Sequence, residues 1–279
     1  MHMNESMSQR NRTSGRRIRR GALPVVIAAA AVAALVAGCS SSSSSDSKAT
    51  TSQAAPPSQL PDGAQIVAES AKTTQTLQSV HAVLEVKNIP GLPFESIKAD
   101  ITNQPQGAGQ AIGEAKVKVK QDDADFTDTK FLVVNKTLYT GDGSKYAKVG
   151  PAEKIYDPGI ILDKDKGLAN AIAQIKNAKA EGREKIDGID VVKISGTIEA
   201  SVIDPIVPQI GKDGGTFPIV VYIKDVAPPT GTGTTLPSTA ASPGTGPNLV
   251  RAIVTKDAGN VTVTLSDWAK PVHVTKPGG

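Results

Sequence analysis

The sequence predicts an α+β domain organised around one antiparallel sheet. Consecutive short segments alternate apolar and polar residues, the pattern of strands with one buried and one wet face. Two other stretches repeat their apolar residues at helical spacing, one before the first strand and one in the middle of the chain. The strand–helix–strand alternation that builds a parallel sheet is missing.

Ahead of the domain, residues 1–20 carry six arginines and no lysine, and residues 22–37, ALPVVIAAAAVAALVA, carry no charge. A basic start, a short apolar run and small residues at its end read as a secretory signal peptide over residues 1–38. The run falls short of the roughly 20 residues a spanning helix needs. At its end, Val36-Ala37-Gly38-Cys39 resembles the lipobox of bacterial lipoproteins. That resemblance implies cleavage before Cys39, a diacylglycerol on its thiol and an N-acyl chain such as palmitate on its amine. Cys39 is the only cysteine of 279 residues, so no disulfide is available and stability must come from packing. Residues 40–61 are Ser, Thr, Ala and Pro with almost nothing to bury, a tether with a root-mean-square span of roughly 25 Å.

Removing the leader reverses the charge balance. The whole chain is +4, but residues 1–38 hold six arginines and one glutamate, leaving 25 basic against 26 acidic residues from Cys39 onward. A near-neutral domain gives no electrostatic case for nucleic acid.

The elements follow in order. Asp62 reads as a helix cap, with Gln65 completing a capping-box pattern, and Ile66, Val67, Ser70, Ala71, Thr74 and Leu77 form one stripe to about residue 79. The period then becomes two. Val80, Ala82, Leu84 and Val86 share a face, as do Ile97, Ala99 and Ile101, and then Ala115, Val117 and Val119. TKFLVVNKTLYTGDGSKYAKVG reads as short hairpins with GDGS at a turn. In the centre, Leu168, Ile172, Ile175 and Lys179 stand at helical spacing, with Gly182 as the stop. Strands return at IDVVKISGTIE, FPIVVYIKDV, NLVRAIVTK and NVTVTLSDW, with KPVHVTKP as a closing segment: about ten strands and two or three helices. Residues 227–248, an uncharged run of Pro, Thr, Gly and Ser, interrupt two strands that should pair and read as a disordered insertion.

Catalytic sets are lacking. Ser266, Asp267 and His273 invite a triad reading, but Ser266 lies on a strand and not on a sharp nucleophile turn. Asp122, Asp123, Asp125 and Asp128 lack the glycine and terminal glutamate of a calcium loop, so they read as a solvated hairpin. No phosphate loop and no Cys/His zinc set is present. The sequence argues against an enzyme, a metal or a cofactor. Only nine aromatic residues serve the exported part, so its sheet is covered by Val, Ile, Leu and Ala. Tight aliphatic packing and an aliphatic cavity that something apolar fills both satisfy that composition.

ILDKDKGLANAIAQIKNAKAEGREKIDGIDVVKISGTI followed by VTVTLSDWAKPVHVTKP resembles the LppX/LprA/LprF/LprG family of mycobacterial envelope lipoproteins, over most of residues 62–277. The resemblance implies one lipid-binding domain over residues 62–277: a strongly curved antiparallel half-barrel, helices on its concave face, and an apolar cavity between them. It implies a monomer anchored on the extracytoplasmic side of the cell membrane. It further implies a carrier that moves an acylated glycolipid, lipoglycan or triacylglycerol toward the outer envelope, with an inner-membrane export pump as a partner. A surface adhesin or signalling lipoprotein acting through residues 227–248 is the competing reading. The expected lining comprises Leu84, Val86, Ile97 and Ile101; Val117, Val119, Leu132 and Val134; Leu168, Ile172 and Ile175 from the helix taken over 167–180; and Ile194, Ile198, Val261, Val263 and Leu265.

Overall fold

A computed structural model describes residues 60–105, 109–118, 125–226 and 245–277. The leader, Cys39, most of the tether, Val119 and residues 227–244 of the insertion lie outside the described residues.

The chain enters through α1 (Gly63–Gln75). Asp62 caps it, its Oδ1 accepting from the amides of Ala64 at 2.8 Å and Gln65 at 3.4 Å. The reciprocal arm of the capping box is not made: Gln65 Nε2 donates to Glu69 Oε1 at 3.1 Å. Gly63 lies so close to the backbone of residues 178–180 that a Cβ there would sit 2.7 Å from the Ala180 nitrogen, which fixes the helix start against the sheet edge.

Eleven strands then form one open antiparallel sheet. The first six are β1 (Ser79–Lys87), β2 (Phe94–Thr102), β3 (Gln110–Val117), β4 (Thr127–Val134), β5 (Thr137–Gly141) and β6 (Tyr146–Pro151). They are followed by β7 (Lys176–Ile186), β8 (Ile189–Glu199), β9 (Thr216–Lys224), β10 (Leu249–Lys256) and β11 (Gly259–Ser266). The order is β6-β5-β4-β3-β2-β1-β11-β10-β9-β8-β7, so the first strand sits mid-sheet beside the last. Short helices α2 (Leu168–Ala173) and α3 (Ala200–Ile203), and 3-10 turns at Ala152–Lys154 and Pro158–Leu162, complete the cover.

Register fixes the faces. Val80, Ile101, Ala111, Val133 and Leu138 form one continuous cross-strand row, and Leu265, Ala82, Ala99, Gly113 and Phe131 form another. These residues, with Val67 and Ala71 of α1 and with α2 and α3, make one core against the concave face. Small residues at the middle of the row allow strong curvature: a Cβ on Gly113 would lie 2.1 Å from the Lys98 carbonyl oxygen.

Two expectations fail here. The central helix stops at Ala173, and residues 176–186 are an edge strand paired with β8. Lys176–Ile186 is rich in Lys, Glu and Ala, good helix formers, but pairing with β8 prevails over propensity. Asn177 at φ 55° turns the chain, and only Ala178 and Ala180 of the strand's first half reach the core. At the other end KPVHVTKP forms no strand. Positive φ at Asp267 and Ala269 leads the chain off the sheet, and Trp268 Nε1 donates to the Leu249 carbonyl at 3.2 Å.

Candidate functional site

α2 divides two spaces. Its inward residues Leu168, Ala171 and Ile172, with Ile175 just beyond, cover a hollow against Ile219, Val221, Ala252, Val254, Val261 and Val263 of β9–β11. Leu249 and Ile203, Ile206 and Val207 complete this aliphatic lining. The hollow holds about 30 Å³, about one water's share of volume. Its outward residues Asn170 and Gln174 face an open cleft of about 1210 Å³. The Gln174 amide donates to Asn170 Oδ1 at 2.9 Å, so this polar side is tied along the helix. The cleft is further lined by Asn103, Lys136 and Glu153, by residues 155–157, by Asp163 and its neighbours to Lys166, and by Pro205 and Pro208.

The cleft's walls are held by caps and one long-range bond. Asp157 Oδ1 accepts from the Gly159 amide at 2.9 Å, and Asp163 Oδ1 from the amides of Asp165 at 2.9 Å and Lys166 at 2.8 Å. Asp163 therefore shapes the turn before α2, whose cap position is Gly167. Tyr156 donates to the Ile206 carbonyl at 3.0 Å, joining the 3-10 segment to the chain after α3. Burial of that hydroxyl pushes its pKa above the usual phenol value, with the Asp157 charge adding to it.

Ten of the expected lining residues take the concave face: Leu84, Val86, Ile97, Ile101, Val117, Ile194, Ile198, Val261, Val263 and Leu265. Leu168, Ile172 and Ile175 cover them from α2 and its exit. Leu132 and Val134 do not: Leu132 pairs with Ile112, in the row of Asp100 and His81, on the outer face. Four apolar residues in succession, FLVV, hide the parity of β4, and the register gives the inner positions to Phe131 and Val133. Val119 and Cys39 lie outside the described residues. The hollow's wall from β9 and β10 was readable from the alternation in FPIVVYIK and LVRAIVTK. The IDPIVPQI stretch that supplies Ile203, Ile206 and Val207 has no regular period to announce it.

Among the described residues no side-chain hydrogen bond joins Ser266, Asp267 and His273. Ser266 is on the outer face of β11 opposite His81, whose Nδ1 is 2.6 Å from Asp100 Oδ1. Asp267 pairs with Lys270, which lowers its pKa. Among the described residues neither Ser266 nor His273 makes a side-chain hydrogen bond, and no group of three or more His, Cys, Asp or Glu is placed to hold a metal ion. No described helix is long and apolar enough to cross a membrane.

The model of the LppX_LprAFG lipoprotein family matches residues 62–274. This chain belongs to that family. LprF of Mycobacterium bovis, named as a candidate diacylated glycolipid transporter, is 51% identical over 224 residues, 80% of this chain and 81% of that protein. The lipoarabinomannan carrier protein LprG of Mycolicibacterium smegmatis is 37% identical over 222 residues, 78% of this chain and 84% of that one. The crystal structure of M. bovis LprF superposes with a TM-score of 0.68 at 52% identity, covering 78% of this chain and 97% of that one. The Mycobacterium tuberculosis LppX structure, at a TM-score of 0.51 and 22% identity, shares the fold. The crystallised M. bovis LprF chain, which folds on its own, corresponds over 97% of its length to about four-fifths of this one. The chain is an envelope-associated lipoprotein of this family with its unclosed, curved sheet.

Proposed function

We propose that this lipoprotein is a carrier of an acylated glycolipid, lipoglycan or triacylglycerol, its acyl chains held between the concave face of the sheet and α2. The observation that carries this is the amphipathic partition: α2 turns aliphatic side chains to an aliphatic sheet face and amides to a broad polar cleft. The names of LprF as a glycolipid transporter and LprG as a lipoarabinomannan carrier support the same reading.

The present hollow of about 30 Å³ is far below the roughly 300–1,000 Å³ of ligand pockets. Loading therefore requires α2 and the 203–207 segment to move off the sheet. Each methylene taken from water contributes about 0.8 kcal/mol, so two or three acyl chains repay the opened packing many times over. Aliphatic walls bind chains of varied length because they impose contact without directional bonds, while a sugar headgroup stays in the polar cleft.

Cys39 with its diacylglycerol and N-acyl chain is the anchor on the extracytoplasmic side of the cell membrane, and residues 40–61 are the tether. The carrier acts as a monomer, receives cargo at the inner membrane, with an export pump as a fitting donor, and passes it toward the outer envelope. No cofactor is needed, since burial alone does the work. The test is lipid extraction and mass spectrometry of the 60–277 domain purified from a host that makes acylated glycolipids. The expected result is a stoichiometric acylated lipid. A domain that emerges lipid-free, and takes up none from vesicles, would overturn the proposal.

A further inference from the structure

Residues 200–215 lead from the end of β8 through α3 to the start of β9, and they close on themselves. The Ala200 amide donates to the Gly215 carbonyl at 2.9 Å, and Asp204 Oδ1 accepts from the Gly211 amide at 3.0 Å. The amides of Ile206 and Val207 both donate to the Ile203 carbonyl, each at 2.9 Å. The strap so formed separates the same two spaces as α2. Ile203, Ile206 and Val207 line the hollow, whereas Ser201, Val202, Pro205 and Pro208 line the cleft. Gly214 and Gly215, at φ 70° and 92° with nothing within 4 Å of where a Cβ would stand, give the strap a hinge beside β9. Two side chains tie it to its surroundings: Tyr156, through the Ile206 carbonyl, and Lys256.

Lys256 ends β10 with the parity of Ala252 and Val254, so a charged residue closes a row of the concave face that is otherwise aliphatic. Its side chain is only 16% exposed. The ammonium donates to the Ile210 carbonyl at 2.9 Å and to Asp213 Oδ2 at 3.1 Å, and it stands 5.8 Å from the centre of the Phe217 ring. Both hydrogen-bond acceptors belong to the strap. An acyl chain laid between sheet and strap parts them by roughly 4 Å, one carbon–carbon contact distance. Hydrogen bonds of this length do not survive that separation. We propose that Lys256 is a latch, engaged while the hollow is empty and released when acyl chains enter. A group shifts an equilibrium only by interacting differently with its two states, and Lys256 meets that condition through bonds that exist in the closed state alone. The latch keeps the aliphatic faces together between deliveries and opposes loading. Its role in loading rests on the carrier reading, while its hold on the strap is a property of the lipid-free domain.

The 60–277 domain lacks Cys39, the only cysteine of the chain, so one thiol can be placed at will. Val207→Cys under the strap, or Val133→Cys buried on β4, is labelled with a thiol reagent in lipid-free domain, with and without Lys256→Met. Methionine keeps most of the stem and removes the ammonium. Lys256→Met should speed labelling at position 207 about tenfold or more, the share of a charge-assisted hydrogen bond in the closed state. Labelling at position 133 should keep its parental rate, and Lys256→Arg, which retains donors for both acceptors, should restore slow labelling at 207. Lys256→Met should also tighten uptake of a pyrene-labelled diacyl lipid from phosphatidylcholine vesicles by about the same factor, opposite to the effect of a damaged site. Unchanged labelling at 207, equal acceleration at 207 and 133, or uptake no tighter than the parent's would overturn the latch. The two readings fail separately. A domain whose strap loosens as expected but which, as parent and as variant, takes up no lipid loses the carrier function and the latch's part in it, and keeps only the clasp. One that carries lipid with unchanged labelling loses only the latch.

Discussion

Replacing Ile172 by tryptophan tests whether the space beneath α2 is where cargo lies. Ile172 is 2% exposed and faces the hollow of about 30 Å³. The indole brings about six more heavy atoms than the side chain it replaces, more than the hollow accepts, so α2 must be pushed outward at about 1–3 kcal/mol of overpacking. For a protein of this size that lowers the melting temperature by about 2–4 °C per kcal/mol, leaving the domain folded. In the loaded state the indole occupies the place of about four methylenes, worth about 3 kcal/mol of chain burial. Lipid affinity should therefore fall about a hundredfold. The assay is the lipid-to-protein ratio of the purified domain by mass spectrometry, read beside its thermal melt. Ile112→Trp on the outer face serves as the control and should change neither measurement. An Ile172→Trp domain that folds and retains the parental lipid load would refute the placement of cargo beneath α2.

Other consequences are open to direct measurement. Gly113→Ala places a Cβ 2.1 Å from the Lys98 carbonyl oxygen, backbone that cannot swing aside, so it should destabilise by at least about 2 kcal/mol in thermal melts; an unchanged melt would refute the tight curvature there. Tyr156→Phe strands the Ile206 carbonyl and unties the 3-10 segment from the chain after α3. It should cost about 1–3 kcal/mol and speed lipid exchange between vesicles, and an exchange rate equal to the parent's would remove Tyr156 from the gating. Among the described residues, three carboxylates have pKa values below those of free side chains: Asp142, down to about 2 from 3.8 through the Lys145 amide and Ser144; Glu199, through Lys176; and Asp267, through Lys270. A depressed carboxylate stabilises the fold above its unfolded pKa and loses that contribution as pH falls through the folded one. Stability should therefore drop as the pH falls from about 4 toward 2, and in Asp142→Asn that drop should be smaller; an identical acid profile would contradict it.

The sheet was legible in the sequence wherever one strand face is wet, because only there does alternation announce itself. VHAVLEVK, SIKADIT and NVTVTLS place their inner residues by inspection. FLVV in β4 does not, since both faces of that strand are buried and parity comes only from its pairing with β3. The stretch from Lys176 to Ile186 misleads in the opposite way: its Ala, Lys and Glu favour a helix locally, and the strand exists because β8 offers it a ladder. Of the site, the aliphatic lining of β1, β2, β8 and β11 was readable. The division of space by a helix of six residues was not, because it depends on Gly167 starting the helix and Asn177 turning the chain after it. The cover from Ile203 to Ile210 has no period at all and is held by the Tyr156 bond and by Asp204 accepting from the Gly211 amide at 3.0 Å.

The most direct test of the account is photo-crosslinking with a glycolipid whose acyl chain carries a diazirine, followed by peptide mapping. The account predicts labels on the inward side of α2 and on the concave face, at Ile172, Ile219, Val254 and Val263. Labels confined to outer-face residues such as Ile112 and Leu132, or to the polar residues of the cleft, would contradict it.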